Sequence, residues 1–207
     1  MNIVQVYSTP LWNSELPELP DFDTHQETFV KAARNFRKSN PEGVNKSNVG
    51  GSYQSPMNLT TEPAFGPLFE FVAQMGMKAA FDMQFVQCDT YLTAAWVNFN
   101  DRRSAVNYDH VHQDTFSGVF YLKVPPKSGK LVLTNPGMNP LWQGAMLTDS
   151  KNKFNADKLR IEPAEGQIYL WPSYLPHGVE PNDHDDERIS ISFNVICVPK
   201  EHVEHTK

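Results

Sequence analysis

The chain changes its hydrophobic period along its length. Near the start, Ile3-Val-Gln-Val-Tyr7 alternates as a short strand that ends at Thr9-Pro10, and a Pro-rich stretch from Leu16 to Pro20 follows. Thr24-His-Gln-Glu27 has the Thr/Glu spacing of a capping box. Phe29, Ala32, Ala33 and Phe36 then recur at helical period, which predicts an amphipathic helix over residues 24–38. From Ser39 to Met57 the residues are polar and broken by Asn40-Pro41, Gly43 and Gly50-Gly51. This reads as a surface loop whose Tyr53 and Gln54 approach a site. Pro67 suits the first turn of a second helix with an apolar stripe of Leu68, Phe71, Val72, Met75 and Ala79, which is expected to pack on a sheet.

After Phe81 the period falls to two. Residues from Val86 to Phe99 alternate and are rich in β-branched and aromatic types, predicting a long strand that buries Trp96 or its neighbours. Asn98 inside that strand calls for a polar partner. Further strands are predicted at Val119–Val124, Lys130–Thr134, Arg160–Glu162, Gln167–Trp171, Gly178–Glu180 and Arg188–Val198, with Pro, Gly and Asp turns between them. Residues 137–158, with Trp142 and Met146, show no clear period and form a candidate lid. Helices followed by seven or eight short strands predict a mainly β fold with flanking helices, a double-sheet, cupin-like jelly roll. The expected organisation is one domain over residues 1–207: helical and N-terminal support over 1–85, and a jelly-roll core over 86–198.

Composition narrows the function. A chain of 207 residues with 40% apolar and 12% aromatic content can bury one sizeable core. A net charge of −6, without a dense Lys/Arg run, argues against a nucleic-acid partner. No basic and apolar leader and no apolar run of membrane length is visible, so a cytoplasmic protein without a membrane partner is expected. Cys88 and Cys197 sit in strand-like sequence without metal-site spacing and are expected to be buried free thiols.

The chemistry concentrates in Tyr108-Asp-His-Val-His-Gln-Asp114 and in Tyr169-Leu-Trp-Pro-Ser-Tyr-Leu-Pro-His-Gly-Val179. Residues two apart on an extended strand point to one face, so His110 with His112, or His112 with Asp114, can close on one metal ion. His177 supplies a distant third ligand. Arg188 opens a strand of alternating apolar and hydroxyl residues, Arg188-Ile-Ser-Ile-Ser-Phe-Asn194, and a cation at its buried end needs an anion. Ser190 shares its face and can grip the same anion. An isolated histidine in a strand-rich protein is usually structural; the ordered set with Arg188 at its end is what favours a metal. His25, His184, His202 and His205 are assigned to the surface or the tail. Asp183-His-Asp-Asp-Glu187 reads as a solvated turn.

Taken in order, His-x-His, Ser-Gly-Val-Phe-Tyr-Leu, Pro-x-x-Ser-Gly-x-Leu, Trp-Pro-Ser-x-Leu-x-His-Gly-Val and Arg-Ile-Ser-Ile-Ser-Phe-Asn span roughly residues 94–198. This set resembles the 2-oxoglutarate/Fe(II)-dependent dioxygenases, and within them a branch of small oxygenases related to the prolyl-4-hydroxylase-like enzymes. The resemblance implies a double-stranded β-helix, with Fe(II), 2-oxoglutarate and O2 as cofactor and cosubstrates. It also implies oxidative decarboxylation of 2-oxoglutarate to succinate and CO2, coupled to hydroxylation of an unactivated C–H bond. Sites of this class use two histidines and a carboxylate. His112 and His177 fill two positions; Asp114 and His110 compete for the third. If Asp114 loses it is a turn residue, and if His110 loses it is an outer hydrogen-bond donor or a substrate contact. Arg188 and Ser190 would hold the far carboxylate of 2-oxoglutarate, and Tyr121 matches the position from which related hydroxylases offer a phenol to it. Asn98 and Asn194 are further candidate contacts. Trp171, Tyr174 and Trp142 would line a substrate pocket or pack in the core. The substrate is expected to be a peptidyl residue, an amino acid or a small metabolite, and a homodimer is compatible with the chain. Two other classes stay open: a cupin-like metalloenzyme that does not use 2-oxoglutarate, and a non-catalytic jelly-roll binding module.

Overall fold

The computed structural model describes residues 8–15, 22–137 and 155–200. The predicted strand at 3–7, the Pro-rich stretch 16–20, residues 138–154 of the candidate lid (137–158) and the tail from residue 201 lie outside them.

The first helix, α1 (Phe22–Ser39), starts two residues before the expected Thr24; the Thr24 side chain, half of the expected capping box, lies outside the described residues. Its apolar stripe buries Phe29, Ala33 and Phe36. The second, α2 (Gly66–Asp82), carries Pro67 in its first turn and buries Leu68, Val72 and Ala79. The loop expected over 39–57 also contains two short strands, β2 (Asn48–Val49) and β3 (Tyr53–Gln54).

The remaining strands are β1 (Trp12–Glu15), β4 (Cys88–Asn100), β5 (Val106–His110), β6 (Phe116–Lys123), β7 (Leu131–Thr134), β8 (Lys158–Ile161), β9 (Gln167–Pro172), β10 (His177–Val179) and β11 (Arg188–Pro199). They form two antiparallel sheets, a larger one in the order β1-β9-β6-β11-β4-β3 and a smaller one in the order β2-β5-β10-β7-β8. With two helices alongside, this is the expected mainly β double-stranded β-helix. Strand β1 was not legible as one, because Trp12-Asn-Ser-Glu15 has no apolar alternation. Pairing to the edge of β9 makes it a strand, and Trp12 anchors it edge-on to Phe116 and by a 3.0 Å hydrogen bond to Asp82.

Strand β11 is central because its alternation serves two layers. Ile189, Ile191, Phe193 and Val195 are fully buried in the core shared with Phe29, Leu68, Val72 and Phe120. Each such side chain contributes about 1.5–3 kcal/mol by leaving water. The intervening Arg188, Ser190, Ser192 and Asn194 lie on the opposite face, between the sheets. Register fixes their neighbours: Ser190 stands between Tyr121 of β6 and Asn98 of β4, and Arg188 stands opposite Asn100. A second cluster, with Val119, Leu131, Leu133, Trp171 and Leu175, fills the gap between the sheets.

Close packing of β6 on β11 explains the glycine in Ser117-Gly118. A Cβ at Gly118 would lie 2.5 Å from the Tyr169 carbonyl oxygen and would collide with the Phe193 ring. Gly118→Ala is therefore expected to cost about 1–3 kcal/mol by overpacking. Equilibrium urea unfolding measures it, and an unchanged midpoint would contradict this packing.

Three expectations about single residues need correction or refinement. His184 is not a surface residue: it is 7% exposed, with Nε2 3.2 Å from Ser128 Oγ and Nδ1 accepting from the Asp186 amide. Its neighbours do form a charged turn, in which Asp183 and Asp185 pair with Arg103, and Glu187 with Arg34. The sharp return of the chain folds the one histidine under that turn. Cys88 and Cys197 are free as expected, but half-buried rather than buried, because they sit where the β4–β11 ribbon runs out past the core.

Candidate metal centre

The pairing of β5 with β10 sets the centre. His110, the last residue of β5, is the direct cross-strand partner of His177, the first of β10, and their rings lie 4.4 Å apart. His112 follows His110 by two residues beyond the end of β5, held by its amide on the Ser173 carbonyl at 3.1 Å. Its ring lies 5.0 Å from that of His110 and 5.2 Å from that of His177. One nitrogen from each ring falls within 4.8 Å of the other two. The structure thus brings together His110, His112 and His177. It does not bring in Asp114, whose carboxylate instead accepts a 2.6 Å hydrogen bond from the Thr93 hydroxyl on β4.

The rings are electrically suited to a cation. Burial, reinforced by the neighbouring His110, pulls the His177 pKa down to about 3. The same two causes, opposed by Asp114, bring His112 down to about 4. Both are neutral at pH 7 and can offer lone pairs. Two groups meet His177 Nδ1: the Leu175 carbonyl at 2.9 Å and the Trp171 indole N–H at 3.2 Å. A proton on Nδ1 would donate to Leu175 and leave Nε2 free, whereas the indole N–H of Trp171, which can only donate, calls for a lone pair on Nδ1; a metal ion on Nε2 selects the first arrangement. His110 Nδ1 likewise faces the Tyr108 carbonyl at 2.7 Å.

A pH dependence follows for the metal-free protein. In the unfolded chain these two histidines protonate near pH 6.5, whereas the folded protein resists until about pH 4 and about pH 3. Between those limits the unfolded state binds more protons, so stability is complete above about pH 6.5 and drains away as pH falls. Chemical unfolding of metal-free protein from pH 7.5 down to pH 4.5 is expected to show a falling midpoint; a flat or rising profile would contradict buried neutral rings.

Further along the inner face of β11 lies an unmatched cation. Arg188 is 1% exposed, its Nη1 donates to Asn100 Oδ1 at 3.1 Å, and its guanidinium stands over the Tyr121 ring at 5.2 Å. Among the described residues no carboxylate pairs with it. Its Nε–H and the Tyr121 hydroxyl are both buried without a hydrogen-bond partner. Burial lowers the Arg188 pKa and pushes Tyr121 up to about 12, so the site holds a cation beside a protonated phenol. Both residues border the cavity of about 560 Å³ that also holds the three histidines.

The other expected positions divide. Ser190 and Asn98 line the same cavity; the amide of Asn98 donates to Ser192 Oγ at 2.9 Å, which supplies the partner that a polar residue in β4 requires. Asn194 lies at the histidine end, its amide 3.3 Å from His112 Nδ1. Gln54 reaches the cavity, whereas Tyr53 packs on Phe99 and donates to the Asn40 carbonyl. Trp171 lines the cavity beside His177, Tyr174 is exposed, and Trp142 lies outside the described residues. Sequence reasoning missed Trp96, tilted against His112 at 5.7 Å, and the buried Ser117–Ser173 pair. Alternation in β4 placed Trp96 on this face; nothing local brings Ser117 and Ser173 together.

The jelly roll thus carries clustered imidazoles at one end of an inner cavity and, at the other, an arginine without a carboxylate partner among the described residues, an arrangement suited to a metal ion and an anion. Residues 94–194, from the middle of β4 to the middle of β11, match the family model described as "Putative 2OG-Fe(II) oxygenase". Through this segment, just under half of the chain, the protein is similar to that family of oxidoreductases, which implies Fe(II) and 2-oxoglutarate. No curated protein matches the chain. Among solved structures, a prolyl-4-hydroxylase from Pseudomonas putida is similar over 94% of this chain and 95% of its own, with 15% identity and a TM-score of 0.61. A prolyl hydroxylase from Trichoplax adhaerens is similar over 90% and 83%, with 13% identity and a TM-score of 0.62. HygX from Streptomyces hygroscopicus is similar over 93% and 84%, with 13% identity and a TM-score of 0.61. At these identities the likeness establishes the fold. Among the described residues, no helix is long and apolar enough to cross a membrane.

Proposed function

We propose that the protein is an Fe(II)- and 2-oxoglutarate-dependent dioxygenase that hydroxylates a peptidyl residue, an amino acid or a small metabolite, releasing succinate and CO2. The observation that carries this reading is the unpaired Arg188 cation and the unpartnered Tyr121 hydroxyl, buried in the cavity of the three histidines. An enzyme without an anionic cosubstrate has no use for that pair.

His110, His112 and His177 would hold the iron, since neutral imidazole suits Fe(II). When bound, the iron supplies the coupling of O2 reduction to 2-oxoglutarate decarboxylation. The chain's own work is binding and orientation. Arg188 offers its guanidinium to the far carboxylate, Tyr121 and Ser190 add hydroxyl donors, and Asn98 polarises the same face through Ser192. Trp171 and Leu131 wall the cavity and reduce water around these groups. HygX, crystallised with nickel and 2-oxoglutarate, supports the reading through its fold. Its complex with hygromycin B, and that of the Trichoplax enzyme with a peptide fragment, support both small-molecule and peptidyl substrates as classes.

A second reading, a cupin-like metalloenzyme that does not use 2-oxoglutarate, is favoured by the absence of a carboxylate from the histidine cluster among the described residues. One experiment separates them. Fe(II)-loaded protein titrated anaerobically with 2-oxoglutarate should develop the weak visible charge-transfer band of a chelated cosubstrate. Iron binding without the band selects the cupin-like enzyme; no iron binding leaves a jelly-roll binding module with structural histidines.

A further inference from the structure

A histidine that gives one ring nitrogen to a metal carries its proton on the other, and that proton needs an acceptor. For His110 and His177 the acceptor in reach is on the main chain, in each case the carbonyl two residues upstream: Tyr108 O at 2.7 Å and Leu175 O at 2.9 Å from Nδ1, the Trp171 indole N–H competing for the latter nitrogen at 3.2 Å. No side-chain substitution removes either acceptor directly. His112 differs, because the polar group at its Nδ1 is a side chain, the carboxamide of Asn194 at 3.3 Å.

Which end of that amide faces the ring decides whether His112 can serve. With Nδ2 toward the ring, Nδ1 must accept, the ring proton sits on Nε2, and His112 has no lone pair to give. With Oδ1 toward the ring, Nδ1–H donates to it and Nε2 is free. The two ends of an amide are nearly equal in size, so donor–acceptor matching chooses between them. The far end of Asn194 lies 3.1 Å from Ser117 Oγ, and Ser117 Oγ lies 2.7 Å from Ser173 Oγ. Hydroxyls both donate and accept, so this chain can run in either direction. All three residues are at most 3% exposed, which keeps bulk water from replacing any member.

We propose that Asn194 is the positioning residue of His112. It turns Oδ1 to the ring N–H and donates from Nδ2 to Ser117 Oγ, which donates onward to Ser173. This inference rests on the metal-site reading above and moves Asn194 from the cosubstrate grip to the metal end. An apolar residue at 117 would leave the amide half-satisfied, and one at 173 would leave Ser117 without its onward partner.

The test is anaerobic titration with Co(II), followed by its visible absorption, on wild type, Asn194→Leu and Asn194→Asp, with circular dichroism melts to verify folding. Leucine keeps the volume and loses the acceptor, so Co(II) affinity should fall about 10–100-fold, the range for outer partners of metal-bound histidine. Aspartate accepts from both His112 and Ser117, so it should restore wild-type affinity or better. In Zn(II)-loaded wild type labelled with 15N-histidine, NMR should find the His112 proton on Nδ1. Unchanged affinity in Asn194→Leu, an equal loss in Asn194→Asp, or an Nε2 proton would each overturn the proposal while leaving the metal site standing. Failure of wild type to bind Co(II) would overturn both. Should Asn194→Leu not fold, Ser117→Ala decides: it frees the amide and should weaken Co(II) several-fold, and no weakening would overturn the proposal.

Discussion

Arg188→Met is expected to abolish the stabilisation that 2-oxoglutarate gives to the metal-loaded protein, while melting within a few degrees of wild type when 2-oxoglutarate is absent. In wild type the guanidinium is buried with an unsatisfied Nε, facing an unsatisfied phenol. Burying an ion without a counter-ion costs several kcal/mol, and methionine removes that cost. It also removes the hydrogen bond to Asn100 and the cation–π contact with Tyr121, together worth about 2–4 kcal/mol, so the two effects largely offset. With cosubstrate present they no longer offset. Truncating one partner of a buried, hydrogen-bonded charge pair costs about 2–5 kcal/mol, equivalent to a 30- to 5,000-fold loss of affinity. At a concentration 100 times its dissociation constant, 2-oxoglutarate adds about 2.7 kcal/mol to wild-type stability. For a chain of this length that raises Tm by roughly 5–10 °C. If the variant binds 100-fold more weakly, the same concentration adds only about 0.4 kcal/mol, a shift of roughly 1 °C. Differential scanning fluorimetry of Co(II)-loaded protein reads both numbers. An equal shift in the variant would mean that Arg188 does not hold the cosubstrate, and the proposed function would lose its support.

Much of this site was legible because strand alternation turns sequence into faces. Arg188, Ser190 and Asn194 were placed on one side of β11 by period alone, and Ile189, Ile191 and Phe193 on the other, as found. The i,i+2 spacing put His110 and His112 on a common side in the same way. What the spacing could not decide was the third member, since His112–Asp114 satisfies it equally well. Tertiary contacts decide the placement: the strand ends at His110, β10 sets His177 opposite it, and Thr93 of β4 draws Asp114 away. Asn194 was grouped with the candidate cosubstrate contacts for a related reason. Period two gives its face, but its neighbour along that face depends on the strand that closes over it, and at that end the neighbour is the His112 turn and not the Arg188 pocket. Elements without a pattern of their own, β1 and β2, became strands only through the sheet edges they join. The buried His184 was hidden because an acidic run reads as solvated whether or not one member folds beneath it.

The sharpest consequence of the three-histidine arrangement is a difference between two neighbouring substitutions. His110→Ala should weaken Co(II) or Fe(II) binding by more than 100-fold, beyond the range typical of an outer partner, because it removes one of three converging nitrogens. Asp114→Ala should leave metal affinity within a few-fold of wild type. Its cost belongs to stability, about 1 kcal/mol for the hydrogen bond from Thr93. A carboxylate ligand would reverse that ranking. The two arrangements also differ in charge: three neutral rings leave the two positive charges of a divalent ion uncompensated, whereas a carboxylate ligand would cancel one. His110→Asp probes this difference, since it substitutes an anionic oxygen ligand for a neutral nitrogen near the same backbone position. If its shorter side chain reaches the ion, metal affinity should recover well above that of His110→Ala, while 2-oxoglutarate, a dianion, should bind more weakly than to wild type because less positive charge faces it. Metal titration and the anaerobic 2-oxoglutarate titration, run side by side on the three variants, measure both quantities. If Asp114→Ala loses the metal and His110→Ala keeps it, the ion is held through Asp114, and the Thr93 contact must break when it binds.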